Sequence, residues 1–272
     1  MPALIILAVV IVTLPVYLIF PGHAKKKKKD VFYGRNIAHR GLYERDQSVP
    51  ENSLSAFKRA VDHGYGIELD VQLSKDGKVV VFHDDDLKRA CGRDCRVDSL
   101  DLKELQSLGL FDMDEKIPLF TDVLSVVDGA VPMVVELKTS KRKKELCEKT
   151  LKILREYKGD YCIESFDPFI VAWFRFHACD IMRGQLTQLP RDFRDGGIGA
   201  PVRDILGNVL FNFLARPHFI AHRIGKKTPL VKLSELLGAM KFAWTAHDKA
   251  AESNFDAVIF EHYLPDTTYK NR

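Results

Sequence analysis

From Gly66 to Leu73 apolar and polar positions alternate without a break, with Ile67, Leu69, Val71 and Leu73 set against Glu68, Asp70 and Gln72. A period of two predicts a strand with one apolar face and one face carrying two acids. After a Lys75-Asp76-Gly77 turn, Lys78 to Phe82 reads as a second extended run, which delivers His83 and Asp84 at its end. Upstream, Ile37 to Gly41 reads as a short strand closed by a glycine turn. Glu51, Asn52 and Ser53 offer caps to a helix carrying Leu54, Phe57, Ala60 and Val61 at helical spacing. Downstream, Leu102 to Leu108 and Pro118 to Val127 read as helices, and Val131 to Lys138 as a buried strand with Val134, Glu136 and Lys138 on one face. Helices are expected over Arg142 to Tyr157, Pro168 to His177 and Leu230 to Met240. Strands are expected over Tyr161 to Phe166, Ile181 to Leu189, Phe219 to Ala221, Phe242 to Thr245 and Phe255 to Phe260. Val202 to Leu214 reads as one helix with a wide apolar face, which either packs on the core or touches a membrane or a substrate tail. About eight strands separated by helices predict parallel pairing in an α/β fold, a TIM-type (β/α)8 barrel.

The first twenty-odd residues break this rhythm. Residues 3–20 are apolar apart from Thr13 and Tyr17, and no charge occurs before Lys25. As a helix they would span about 27 Å, close to the hydrocarbon thickness of a bilayer. The expectation is one transmembrane anchor over 1–24, a basic juxtamembrane linker over 25–35 and a barrel domain over 36–272. Gly22-His23-Ala24 loosely resembles a cleavage site, but the segment lacks a basic leader and is followed by Lys25 to Lys29. Those lysines would lie against anionic headgroups and keep the body of the chain on the cytoplasmic side of the cell membrane.

Charge narrows the partners. The net charge of +4 comes from that lysine run: without it 36 basic residues face 37 acidic ones, so no basic face for nucleic acid is implied. The five cysteines are scattered and odd in number, which points to free thiols rather than a disulfide framework.

In a barrel the strand ends meet at one mouth. His39 would end the first strand, Glu68 and Asp70 lie on the second, His83 ends the next run and Glu136 follows on the buried strand. Three carboxylates, two imidazoles and two cations, Arg40 and Lys138, would thus converge. Oxygen ligands suit Ca2+ or Mg2+. The cations would neutralise a phosphate, and two histidines can exchange protons near neutral pH. The combination suits phosphodiester chemistry.

His39-Arg40-Gly41, Pro50-Glu51-Asn52-Ser53, Glu68-Leu69-Asp70-Val71, His83-Asp84 and Glu136-Leu137-Lys138 together resemble the glycerophosphodiester phosphodiesterase family, in order and spacing, from about residue 36 to about residue 265. The resemblance implies metal-dependent hydrolysis of glycerophosphodiesters to sn-glycerol 3-phosphate and an alcohol. It implies His39 and His83 as the acid/base pair, and Glu68, Asp70 and Glu136 as ligands of one divalent cation. A glycerol hydroxyl attacks phosphorus in that scheme, and water then opens the cyclic phosphate. The late strands depart from the family pattern, with Trp244-Thr245-Ala246-His247 and Phe260-Glu261-His262. Trp244 would stack on the glycerol or only pack. Two alternatives are a phospholipase-type enzyme acting on intact or lyso-lipids at the bilayer, and an inactive headgroup-binding scaffold.

Overall fold

A computed structural model describes residue 11 and residues 13–193 and 198–270. Its strands in chain order are β1 (Arg35–Ala38), β2 (Gly66–Leu73), β3 (Val79–Val81), β4 (Asp86–Leu87), β5 (Arg93–Arg96), β6 (Met133–Leu137), β7 (Tyr161–Ser165), β8 (Met182–Thr187), β9 (Phe219–Arg223), β10 (Met240–Ala246) and β11 (Ala257–Phe260). Eight of them pair in parallel in the order β1, β11, β10, β9, β8, β7, β6, β2, and a β1–β2 pairing closes the ring. The helices are α1 (Lys26–Phe32), α2 (Leu54–Asp62), α3 (Lys88–Cys91), α4 (Leu102–Ser107), α5 (Phe120–Val127), α6 (Lys143–Glu156), α7 (Pro168–His177), α8 (Ala200–Gly207), α9 (Asn212–Ala215) and α10 (Pro229–Leu236). The expected α/β barrel is therefore present.

The alternation in β2 works as its sequence implies. β3 returns antiparallel with Val71 opposite Val81, and β6 pairs on the other side with Asp70 opposite Glu136. Ile67, Leu69 and Val71 face the helical layer, packed with Phe57 of α2 and Phe120 and Val123 of α5. The other parity faces the barrel axis. Ile37, Val134, Cys162, Met182, Phe219, Phe242 and Ile259 fill that interior. Gly184 belongs to this set because a Cβ there would sit 2.0 Å from the Phe219 ring, which stacks on Phe242 at 4.1 Å.

Two expectations change. The basic linker is helical: α1 carries four of the lysines outward and drives Phe32 into the barrel floor, 6.0 Å from the Phe242 ring. Burying one aromatic ring is what fixes the segment; the charges ride on its outer side. The single helix over 202–214 is two, because the chain breaks at Val209, which has φ +50°. Its apolar spacing continues through the break, so periodicity alone could not reveal it.

The expected transmembrane helix falls largely outside the described residues, since residues 1–10 and 12 are among those not described. Among the described residues no helix is long and apolar enough to cross a membrane. Residues 13–19 are helical and end against the body. Ile19 is fully buried beside Val209, Ile220 and Val231, and its carbonyl accepts bonds from Asn212 Nδ2 and Ser234 Oγ. The last turn of the apolar segment is thus packed against the body. All five cysteines are free.

Candidate active site

The inward parity of β2 and β6 places three carboxylates together at the C-terminal mouth. Ligand oxygens of Glu68, Asp70 and Glu136, all buried, lie within 4.8 Å of one another. Oxygens that share one Ca2+ at about 2.4 Å each can be no more than about 4.8 Å apart, so the set fits a hard cation. The electrostatics agree. Burial and the neighbouring charges of Asp70 and Glu136 push the Glu68 carboxyl well above its usual range. Burial likewise raises Glu136, against the pull of Lys138. Asp70 is also buried, but Lys138, His83 and Arg40 overcome that penalty and hold it low. Lys138 Nζ lies 3.0 Å from Glu136 Oε1 and 3.3 Å from Asp70 Oδ1. Acids crowded this closely, with one lysine between them, are a site short of positive charge.

The two histidines flank this cluster, and each is tied at Nδ1 to a carboxylate. His39, just past β1, lies 2.7 Å from Glu261 Oε2, and its Nε2 lies 3.9 Å from Glu68 Oε2. Burial and the charge of Arg40 lower its pKa, outweighing Glu261, so the ring is neutral at neutral pH and donates its Nδ1–H to Glu261. Glu261 is itself buried, yet the bonds from His39 and Tyr43 hold it down at about 2. His83 lies 2.6 Å from Asp84 Oδ1, and Arg89 Nε donates to the other Asp84 oxygen at 2.6 Å. Both Nε2 atoms are therefore free to exchange protons.

The network behind His83 was only half legible. Ser53 caps α2, accepting from Ala56 N, but Glu51 and Asn52 turn inward instead of capping. Asn52, at φ +54°, donates to Asp70 Oδ2 at 2.9 Å, and Glu51 accepts from both Arg40 and Arg89. Gln72 donates to the carbonyls of Phe82, His83 and Asp84, which fixes the loop that presents His83. Glu164, in register with Glu136, is buried with Oε2 unpartnered among the described residues, and burial raises its carboxyl well above normal. The sequence reading assigned no role to Glu261, Asp84, Gln72 or Glu164. The usable signal was parity, since Glu164 and Glu261 occupy inward positions near strand ends, as Glu136 does.

His39, His83, Glu68, Asp70, Glu136, Arg40 and Lys138 are thus brought together. Trp244 lies elsewhere on the mouth, its Nε1 donating to the Ala221 carbonyl at 3.1 Å and its ring 5.6 Å edge-on to Phe166. A cavity of about 830 Å³ beside α10 contains none of the histidines and acids of this cluster, so volume alone does not mark the site.

Residues 39–262 match the model of the glycerophosphoryl diester phosphodiesterase family. A glycerophosphodiester phosphodiesterase of Caldanaerobacter subterraneus is 37% identical over 144 residues, 49% of this chain and 58% of that one. A lysophospholipase D of Homo sapiens is 30% identical over 164 residues, 56% of this chain and 50% of that one. The chain thus spans about half the length of these curated relatives. In shape it is similar to an Oleispira antarctica phosphodiesterase solved with its product sn-glycerol 3-phosphate, at a TM-score of 0.69 and 22% identity, over 85% of this chain and 94% of that one. A glycerophosphodiester phosphodiesterase of Thermotoga maritima aligns at a TM-score of 0.61 and 26% identity, over 83% and 93%. With its family model covering most of its length, this chain belongs to the glycerophosphoryl diester phosphodiesterase family.

Proposed function

We propose that this chain hydrolyses glycerophosphodiesters to sn-glycerol 3-phosphate and an alcohol, using His39 and His83 as its proton-transfer pair. The observation that carries the reading is the pairing of two carboxylate-tethered imidazoles across one cluster of Glu68, Asp70 and Glu136. His39 takes the proton of the glycerol hydroxyl next to the ester as that oxygen attacks phosphorus. The bond to Glu261 stabilises the imidazolium that forms on His39, against the burial that keeps the ring neutral at rest. His83, more open to solvent, gives its proton to the departing alcohol. The roles reverse when water opens the cyclic phosphate. Arg40 and Lys138 orient the phosphate oxygens and offset their charge. Glu68, Asp70 and Glu136 would hold a Ca2+ or Mg2+, which when bound supplies further neutralisation of the phosphate. A silent headgroup-binding scaffold would have no use for two tethered imidazoles.

The test is product analysis on the full chain with glycerophosphoethanolamine, with and without chelator. Release of sn-glycerol 3-phosphate that depends on an added divalent cation is expected. Turnover unaffected by chelator would remove the metal from the scheme, and no turnover with any glycerophosphodiester would overturn the reading. Membrane attachment through the apolar N-terminal segment and Lys25 to Lys29, with the barrel in the cytoplasm, is part of the same proposal. Recovery of the full chain in the soluble fraction after cell breakage would refute it.

A further inference from the structure

The cavity of about 830 Å³ beside α10 differs in chemistry both from the catalytic cluster and from an apolar cavity of about 550 Å³ that Phe166, Phe169, Phe211 and Trp244 wall at the mouth. It exists because the outer layer is thin there. An α-helix of eight residues or more follows β6, β7 and β9, but β10 is followed only by a 3₁₀ turn over Lys249–Ser253, which leaves a gap between that turn and α10. Lys226, Lys227, Lys232 and Lys241 line the gap against two acids, Glu235 and Asp248, an excess of two positive charges. Both acids are already committed: Glu235 accepts from Lys227, and Asp248 accepts from the Ala250 N–H. Among the described residues, Lys226, Lys232 and Lys241 have no carboxylate within ion-pair distance. Lys227 is the deepest of the four, its side chain only 10% exposed and its Nζ 4.3 Å from the centroid of the Phe255 ring. Burial pulls its ammonium below the usual range; Glu235 opposes the fall and Lys241 adds to it.

We propose that this gap binds a small soluble anion carrying two linked phosphate groups, at a site separate from the catalytic cluster. Ammonium groups gathered around one cavity without carboxylates to match repel one another, and a ligand that brings negative charge between them removes that cost. The placement of the four favours two phosphates over one. Lys227 and Lys241 are partly buried within the gap, whereas Lys226 and Lys232 are exposed at its edge, so linked phosphates can meet an inner and an outer pair. Lysine meets phosphate as a point charge, which selects for charge and spacing. Thr245 and Asn254 add neutral hydrogen-bonding groups to the lining. The volume is that of a small-molecule site and leaves room for an organic group on one of the phosphates. His247 also lines the gap, and its Nδ1 lies 3.7 Å from Glu261 Oε1, so the occupant lies one side chain away from the carboxylate that holds His39.

The test is calorimetric titration of the full chain with inorganic pyrophosphate, at constant ionic strength and without divalent cation, so that neither metal nor turnover enters the readout. Saturable binding is expected, weakening as chloride is raised. Lys226→Gln, Lys232→Gln and Lys241→Gln should each lower the affinity by about tenfold, the scale of one hydrogen bond to a charged group. Asn254→Glu, at an exposed position in the lining, should lower it by a similar factor without removing a lysine. Lys249→Gln, on the exposed turn but outside the lining, should leave it within about twofold. Orthophosphate should bind about tenfold more weakly than pyrophosphate, since it meets one pair of lysines instead of two. No saturable binding, or equal affinities for the two anions, overturns the proposal. So does an affinity unaltered by all four substitutions in the lining, which would put the anion on Arg40 and Lys138 instead. A loss in Lys249→Gln as large as in the lining variants would reduce the effect to net charge and overturn it equally. Binding to vesicles containing phosphatidic acid but not to pyrophosphate would make the gap a membrane contact and overturn the soluble ligand.

Discussion

The mouth of this barrel has two arcs with opposite chemistry. From β1 through β2 to β6 the inward side chains near the rim are His39, Glu68, Asp70, Glu136 and Lys138, joined by His83 from the loop after β3. From β7 to β10 the inward positions nearest the rim hold Phe166, Leu186, Arg223 and Trp244, three of the four apolar, with the buried Glu164 one layer below Phe166. One closed set of strands thus holds a charged arc and an apolar arc against each other. In the charged arc each group is fixed by several partners: Asp70 alone faces Asn52, Lys138 and Arg40. In the apolar arc groups are held by shape, as Trp244 is by Phe166 and a single carbonyl. The difference predicts that substitutions in the charged arc alter chemistry steeply, whereas those in the apolar arc alter stability or substrate choice.

The largest effect is expected at the imidazoles. His39→Ala and His83→Ala should each lower kcat by roughly 10²–10⁴-fold with little change in KM, measured by release of the alcohol. Near-normal turnover in either variant would remove that residue from the proton path. Next is Lys138→Met, which leaves Asp70 and Glu136 without their shared buried cation. Truncating one member of a buried ionic set costs about 3–5 kcal/mol. Because the lost charge lies among the candidate metal ligands, added Ca2+ or Mg2+ should restore more thermal stability to Lys138→Met than to the native chain. Equal shifts in the two would show that the acids do not share a cation.

Glu261→Gln comes third. The amide no longer fixes the His39 Nδ1–H, so some rings turn their proton toward the substrate and kcat should fall on the order of 10²-fold, less than for loss of the ring. Stability gives a second readout. Glu261 is held at about 2 in the fold against an ordinary 4.5. Its contribution is therefore present above about pH 4.5 and is lost as pH falls toward 2. Urea unfolding between those values should lose stability more steeply in the native chain than in Glu261→Gln; parallel curves would mean the bond to His39 contributes nothing to the fold.

The charged arc was also the legible one. Alternation along β2 exposes Glu68 and Asp70 at once, because a period of two and an acidic residue type coincide. Glu136 and Lys138 follow by the same parity. Glu51 and Asn52 were expected as caps, since polar residues before a helix usually are; what turns Asn52 inward is its left-handed backbone, which composition does not reveal. Glu261 escaped because its partner His39 is 222 positions away, and only closure of the ring makes them neighbours. The apolar arc was hidden for a different reason. Phe166, Phe169 and Phe211 have the same residue type as core, and whether an aromatic residue walls a cavity or fills the interior depends on what stands opposite it. The same limit applies to the lysine run, where charge masked a helix whose placement depends on Phe32.

Gly184 sharpens the contrast with the smallest effect. It lies on β8 beneath the apolar arc, where its missing side chain leaves room for Phe219 to lie flat on Phe242. An added methyl must displace that ring, and overpacking of this kind costs about 1–3 kcal/mol. Gly184→Ala should therefore lower Tm, by about 2–4 °C per kcal/mol for a domain of this size. It should leave kcat for glycerophosphoethanolamine within about threefold of the native chain, because β8 contributes nothing to the charged arc. Loss of turnover out of proportion to the fall in Tm would mean that strain in the barrel interior reaches the carboxylates of β6. The two arcs would then be mechanically one, and the division drawn between them would fail.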